Sequence, residues 1–158
     1  MSFLHRAWAE IDTSALLHNF GIIKSNSNGA KIMAVVKADA YGHSVRDIAP
    51  VLDAAGADSF AVSNIEEAIE LRSVGIDKPI LVLGYTPCDM ANTLAKYNIS
   101  QCVYSLEYAR ALSENAVANG VRIKVHIKLD TGMGRLGFDC RSDELLEIDD
   151  ALLSAGFD

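Results

Sequence analysis

One unit recurs along this chain from residue 31 onward: a short β-branched apolar run, a polar turn, then a helical pattern closed by glycine or proline. The repetition predicts strands at about 31–37, 59–63, 79–84, 100–104 and 122–130, with helices between them. Strands and helices that alternate at this length fold as a parallel sheet with right-handed crossovers, so the class is α/β. An open doubly wound sheet and a closed (β/α)8 barrel both satisfy the pattern. Helix starts are marked by Ser44-x-x-Asp47, Ser63-x-x-Glu66 and Thr86-Pro87-x-Asp89, and stops by Gly56, Gly75 and Gly120. Val45, Ile48, Ala49 and Leu52, and likewise Leu106, Ala109 and Leu112, recur at helical spacing and give their helices one apolar face each. Before the repeat, a strand is expected around 7–11 and a helix at about 14–24.

The run 122–130 bears on the choice of architecture. Its odd positions Ile123, Val125, Ile127 and Leu129 are apolar, and its even positions Lys124, His126, Lys128 and Asp130 are polar. A central strand of an open parallel sheet is apolar on both faces, because helices cover both. In a barrel the inner face near the C-terminal mouth is free to be polar. An edge strand with one wet face gives the same alternation.

Charge and cysteine content narrow the function. A net charge of −7 argues against a nucleic-acid partner, which needs a basic face. Three cysteines with no C-x-x-C pair suggest reduced thiols rather than a metal site, and no run approaches the ~20 apolar residues of a membrane span. No signal-peptide pattern opens the chain, so a cytoplasmic protein is expected.

Two segments carry candidate chemistry. In Ala34-Val-Val-Lys-Ala-Asp-Ala-Tyr-Gly-His43 an amine, Lys37, emerges from an apolar strand at the mouth of the sheet, a setting suited to Schiff-base chemistry, although a lysine ending a strand is by itself more often a solvated edge residue. Tyr41 follows in the adjoining loop, where its phenol could reach a phosphate or simply pack at the rim; His43 reads as a capping or packing residue. The second segment, Lys128-Leu-Asp-Thr-Gly-Met-Gly-Arg-Leu-Gly137, contains Gly132-x-Gly134-x-x-Gly137 directly after a strand. That spacing matches the dinucleotide fingerprint formally, but the next helix signal waits until about Ser142, and Arg135 sits inside the turn. A flexible turn presenting the Arg135 guanidinium to an anionic group fits better.

AVVKADAYGH is similar to the cofactor-lysine segment of alanine racemases, and VHIKLDTGMGRLG resembles their arginine-bearing loop, in the same order and at a similar distance. The opening AWAEID and the segment PILVLGYT resemble the same family. The resemblance implies a (β/α)8 barrel, read here as its first five βα units because a whole barrel takes about 250 residues. It implies pyridoxal phosphate held covalently by Lys37, which also serves as one acid/base group at the substrate α-carbon. Tyr41 is then the hydrogen-bond donor to the cofactor phosphate, and Leu83 lies along the pyridine pocket. Arg135 approaches the cofactor's phenolic oxygen and the substrate carboxylate, and Lys128 is the lysine that many members carbamylate and pair with that arginine. The remaining pieces that the family implies, a second acid/base tyrosine from the partner's β-domain and an arginine at the pyridine nitrogen, are expected after Asp158. The implied activity is interconversion of L- and D-alanine, as a homodimer supplying D-alanine for peptidoglycan precursors. A serine racemase and a pyridoxal-phosphate-binding module without racemase activity are the alternatives.

Overall fold

The computed structural model describes residues 7–141. Helix α1 (Thr13–Asn26) leads into strand β1 (Met33–Val35), a short left-handed turn classed as α2 (Lys37–Gly42), and helix α3 (Val45–Ala54). Then follow β2 (Ser59–Val62), α4 (Ile65–Ser73), β3 (Ile80–Val82), a 3-10 turn (Cys88–Met90), α5 (Ala91–Lys96), β4 (Ile99–Val103), α6 (Leu106–Ala118) and β5 (Val125–Ile127). Two short strands, β6 (Leu129–Asp130) and β7 (Phe138–Asp139), close the described chain. The five expected strands are all present, and β1 to β5 pair in parallel in sequential order.

Sequential order with no reversal is what a barrel wall requires, whereas a doubly wound sheet reverses direction at a switch point. The two faces agree with this. Phe60, Val62, Ile80, Val82 and Ile99 bury against helix residues Ile48, Leu52, Ile65, Leu71, Leu94 and Leu112 in one core. On the other face Ala61, Leu81 and Cys102, with Leu83, form a small cluster that contains no helix residue. Met33 and Val35 stay 38% and 41% exposed on β1, and Val35 is level with Ala61. A doubly wound sheet would bury that second face under helices. Here it is the inner face of a partial barrel.

The predicted helical faces are the buried ones: Val45, Ile48, Ala49 and Leu52 on α3, and Ala109 and Leu112 on α6. Gly56, Gly75 and Gly120 stand with positive φ just past the ends of α3, α4 and α6. Three starts differ from expectation. Ser44 sits at the start of α3 without a side-chain cap; the first amide, Val45 N–H, goes instead to Asp39 at 2.7 Å. Helix α4 is capped by Asn64 rather than Ser63, through Glu67 N–H at 2.9 Å. The Thr86 hydroxyl caps nothing and donates to Gln101 at 2.6 Å inside the core. Residues 7–11 form no strand, since nothing among the described residues pairs with them. The expected strand 122–130 is divided into β5 and β6 at Lys128, where the chain changes partner from β4 to β7. The helix signal at Ser142 lies outside the described residues.

At the N-terminal ends of the strands, cations bind backbone carbonyls and stitch the units together. Arg72 donates to the carbonyls of Tyr97, Lys78 and Asn98, and Lys78 to that of Ala57, with its amine 3.1 Å from the Asp53 carboxylate. This end of the wall is occupied by structural contacts, which leaves the C-terminal end for chemistry.

Candidate active site

Three strands deliver their next residues to the same rim. Val36, Leu83 and Lys128 follow β1, β3 and β5, and each is held by a ladder bond to the neighbouring strand: Val36 N–H to Ala61, Leu83 N–H to Val62, and Lys128 N–H to Val103, at 2.8–2.9 Å. Lys37 comes immediately after Val36 and is half-buried; among the described residues its amine has no ion pair and no hydrogen bond. The sequence motifs therefore converge at one end of the sheet.

The turn after Lys37 is unusual. Ala38, Asp39, Ala40 and Tyr41 all have φ between 51° and 56°, a left-handed run built without glycine. Such a conformation costs an L-residue about 1–2 kcal/mol each, so the surroundings must hold it. Ala40 N–H returns to the Val36 carbonyl at 3.0 Å, and His43 Nδ1 lies 3.0 and 3.2 Å from the carbonyls of Ala40 and Tyr41. Of the capping and packing roles expected of His43, the structure shows capping. Glu67 Oε1 accepts Ala38 N–H at 2.8 Å, while its Oε2 accepts Ser63 N–H at 2.7 Å and the Ser63 hydroxyl at 2.8 Å. Burial is the largest single influence on the Glu67 carboxyl and would raise its pKa; the hydrogen bonds from Ser63, Ala38 and Glu67's neighbour Asn64 outweigh it, so the group lies below the usual glutamate range. Sequence reasoning missed Glu67. Its one local signal is Asn64-x-x-Glu67, a capping-box spacing.

Tyr41 ends this turn 59% exposed. It also borders a cavity of about 560 Å³ lined by Val35, Val36, His43, Asp12 and Asn19 beside β1, and Lys37 is not among the lining residues. Leu83 packs on the inner-face cluster of Ala61, Leu81 and Cys102. Lys128 lies near Cys102, whose thiol burial pushes up against a smaller downward pull from that cation.

The arginine loop is pinned rather than free. Asp130 Oδ1 accepts the amides of Gly132 and Gly134 at 2.9 and 3.0 Å, and Oδ2 accepts Arg135 N–H at 3.2 Å. Those bonds, led by the ones from Gly132 and Gly134, lower the Asp130 pKa. The Arg135 side chain is exposed, and among the described residues no ion pair joins Lys128 to Asp130. Gly137 brings the loop back against its own strand: a Cβ there would stand 2.6 Å from Asp130 N and 2.8 Å from the Leu129 carbonyl carbon. Gly84, beside Leu83, is required for a similar reason, since its Cβ would meet the Ser63 carbonyl oxygen at 2.5 Å. The glycines at 132, 134 and 137 thus serve a tight return with no helix opening inside it, unlike a dinucleotide turn.

Residues 11–156 match the family described as "Alanine racemase, N-terminal domain". An alanine racemase of Clostridium tetani is 55% identical over 135 residues, which is 85% of this chain and 35% of that protein. The solved alanine racemase of Clostridium difficile superposes with a TM-score of 0.86 at 40% identity, covering 95% of this chain and 40% of the other. A histidine racemase from Leuconostoc mesenteroides superposes with a TM-score of 0.85 at 34% identity, over 91% of this chain and 38% of its own. The chain spans about a third of the length of the relatives it matches. With two motifs at one rim of a sequentially wound parallel wall and this degree of identity, the chain belongs to the alanine racemase family, matching its N-terminal domain.

Proposed function

We propose that this chain is the cofactor-binding part of a barrel domain in a protein that interconverts L- and D-alanine with pyridoxal phosphate. The observation that carries the proposal is the placement of Lys37, Leu83 and Lys128 at the C-terminal ends of β1, β3 and β5, on one rim. Donor chemistry at the rim suits the cofactor: a half-buried amine for its aldehyde, a phenol for its phosphate, an apolar side chain for its ring and a guanidinium for its oxygen. When bound, pyridoxal phosphate supplies an electron sink that acidifies the substrate α-carbon.

Each residue then has a part. Lys37 would hold the cofactor through its amine and would serve as the group that takes or gives the α-proton on one face. Tyr41 donates its hydroxyl hydrogen to the phosphate from the held turn. Leu83, backed by Ala61, Leu81 and Cys102, excludes water from one side of the ring. Arg135 directs its fork of donors at the substrate carboxylate. Lys128 orients Arg135 after carbamylation, which makes it an anion able to accept from the guanidinium; Asp130 is already engaged by loop amides. Carbon-13-labelled carbon dioxide should give a carbamate signal that disappears in Lys128→Ala.

The same reading carries a cytoplasmic homodimer that supplies D-alanine for peptidoglycan. No described helix is long and apolar enough to cross a membrane. The likeness to a histidine racemase favours a second reading, a racemase for another amino acid on the same rim.

Borohydride reduction in the presence of pyridoxal phosphate, followed by peptide mapping, should place the pyridoxyl mass on Lys37. Labelling of a different lysine, undiminished in Lys37→Ala, would overturn the assignment. Solvent-deuterium incorporation at the α-carbon, compared for alanine, serine and histidine with the whole protein, decides the substrate.

A further inference from the structure

A strained turn persists only where its neighbourhood over-determines it. For residues 38–41, two of the holding side chains are local: Asp39 accepts Val45 N–H, and His43 faces the carbonyls of Ala40 and Tyr41. The third, Glu67, comes from α4, 29 residues beyond Ala38. Both of its oxygens accept, one from Ala38 N–H and the other from the amide and hydroxyl of Ser63. Every partner is a donor, so only the carboxylate satisfies the set; an amide in its place would turn an NH₂ group toward an N–H or O–H. Glu67 is itself fixed by its position in the first turn of α4, where Asn64 holds its backbone amide. The clamp thus ties the ends of β1 and β2 to one helix terminus. Ala38 N–H belongs to the peptide that leaves Lys37, so displacing it rotates the base of the lysine side chain.

We propose that Glu67 is a positioning residue for Lys37: by gripping Ala38 and Ser63 between its two oxygens, it fixes the peptide from which the amine departs and so the point at which that amine meets a carbonyl. The inference rests on Lys37 being the cofactor lysine, as read above.

The test compares Glu67→Gln, Glu67→Asp and Ser63→Ala by two measurements. Amide hydrogen exchange needs no cofactor, and Glu67→Gln is expected to speed exchange at Ala38 about tenfold or more while leaving β2 and the later turns of α4 as in the parent. Borohydride trapping of pyridoxal phosphate on Lys37 is expected to slow by about tenfold or more, because a small misplacement of a reacting group costs that much. Glu67→Asp keeps the charge but withdraws it by one methylene, and is expected to show both effects; it carries the test if Glu67→Gln does not fold. Ser63→Ala removes one donor and leaves the Ala38 bond, so both readouts should stay within about threefold of the parent. Parental exchange at Ala38 in the glutamate variants overturns the clamp, and faster exchange with parental trapping overturns its positioning role. Failure of the parent itself to trap the cofactor on Lys37 overturns the cofactor reading and with it this role, an outcome distinct from either of the other two.

Discussion

Gly137 turns at φ +140° with the backbone of Leu129 and Asp130 directly against it, so a side chain there has no flexible neighbour to displace. Gly137→Ala is expected to cost about 1–3 kcal/mol, seen as a lower urea midpoint, and to move the loop that carries Arg135. Urea midpoints indistinguishable from the parent would show that the return is looser than its geometry. The partner residue, Asp130, makes the same loop sensitive to acid. Its folded pKa is depressed by the amides of Gly132 and Gly134, so its contribution is complete above the unfolded carboxylate value and is lost as pH falls through the lower folded value. The Gly132 and Gly134 amide resonances should therefore hold steady from pH 8 to 5 and shift below about pH 4. A shift centred near neutrality would implicate a different group.

Between elements, Gln101 is a second polar side chain that holds a rim loop. It is fully buried on β4, accepts from the Thr86 hydroxyl and donates to the Gly84 carbonyl at 2.7 Å, while the Tyr108 hydroxyl of α6 donates to the Thr86 carbonyl at 2.8 Å. Burial raises the Tyr108 pKa far above the ordinary tyrosine value, so this donor stays protonated. Gln101→Leu takes the partner from the buried Thr86 hydroxyl and from the part-buried Gly84 carbonyl and is expected to cost about 1–3 kcal/mol with a matching fall in Tm; an unchanged Tm would mean that Thr86 and Gly84 find other partners. Gln101 also shows where the sequence stops being readable. The apolar faces of α3 and α6 were legible because periodicity is local, and Lys37 was legible at a strand end because it closes an apolar run; Leu83 and Lys128 were named as site residues only through the family resemblance, and Arg135 through its glycine turn. Ser44, Ser63 and Thr86 do not cap because another side chain takes the role or the hydroxyl: Asp39 accepts the first amide of α3, Asn64 caps α4, and Gln101 accepts from Thr86. The left-handed run at 38–41 contains no glycine before Gly42, so composition gave no sign of it.

For the molecule as described, β1 and β5 each have one unpaired edge, and the inner face carries exposed Met33 and Val35. Unpaired edges are templates for another chain. The 158-residue chain is expected to self-associate, so sedimentation velocity should show mass rising with concentration; a strict monomer at every concentration, unfolding in one cooperative step, would contradict this. The sequential strand order has a consequence for how the wall is made. Each strand after the first pairs with its immediate predecessor, so during synthesis every new strand of the wall meets a partner already translated. At about 5–20 residues per second a βα unit leaves the ribosome every few seconds, long compared with the microseconds in which a helix forms. The order of birth is then the order of pairing, and the Lys37 turn acquires its Glu67 clamp as soon as the second helix of the repeat, α4, has emerged.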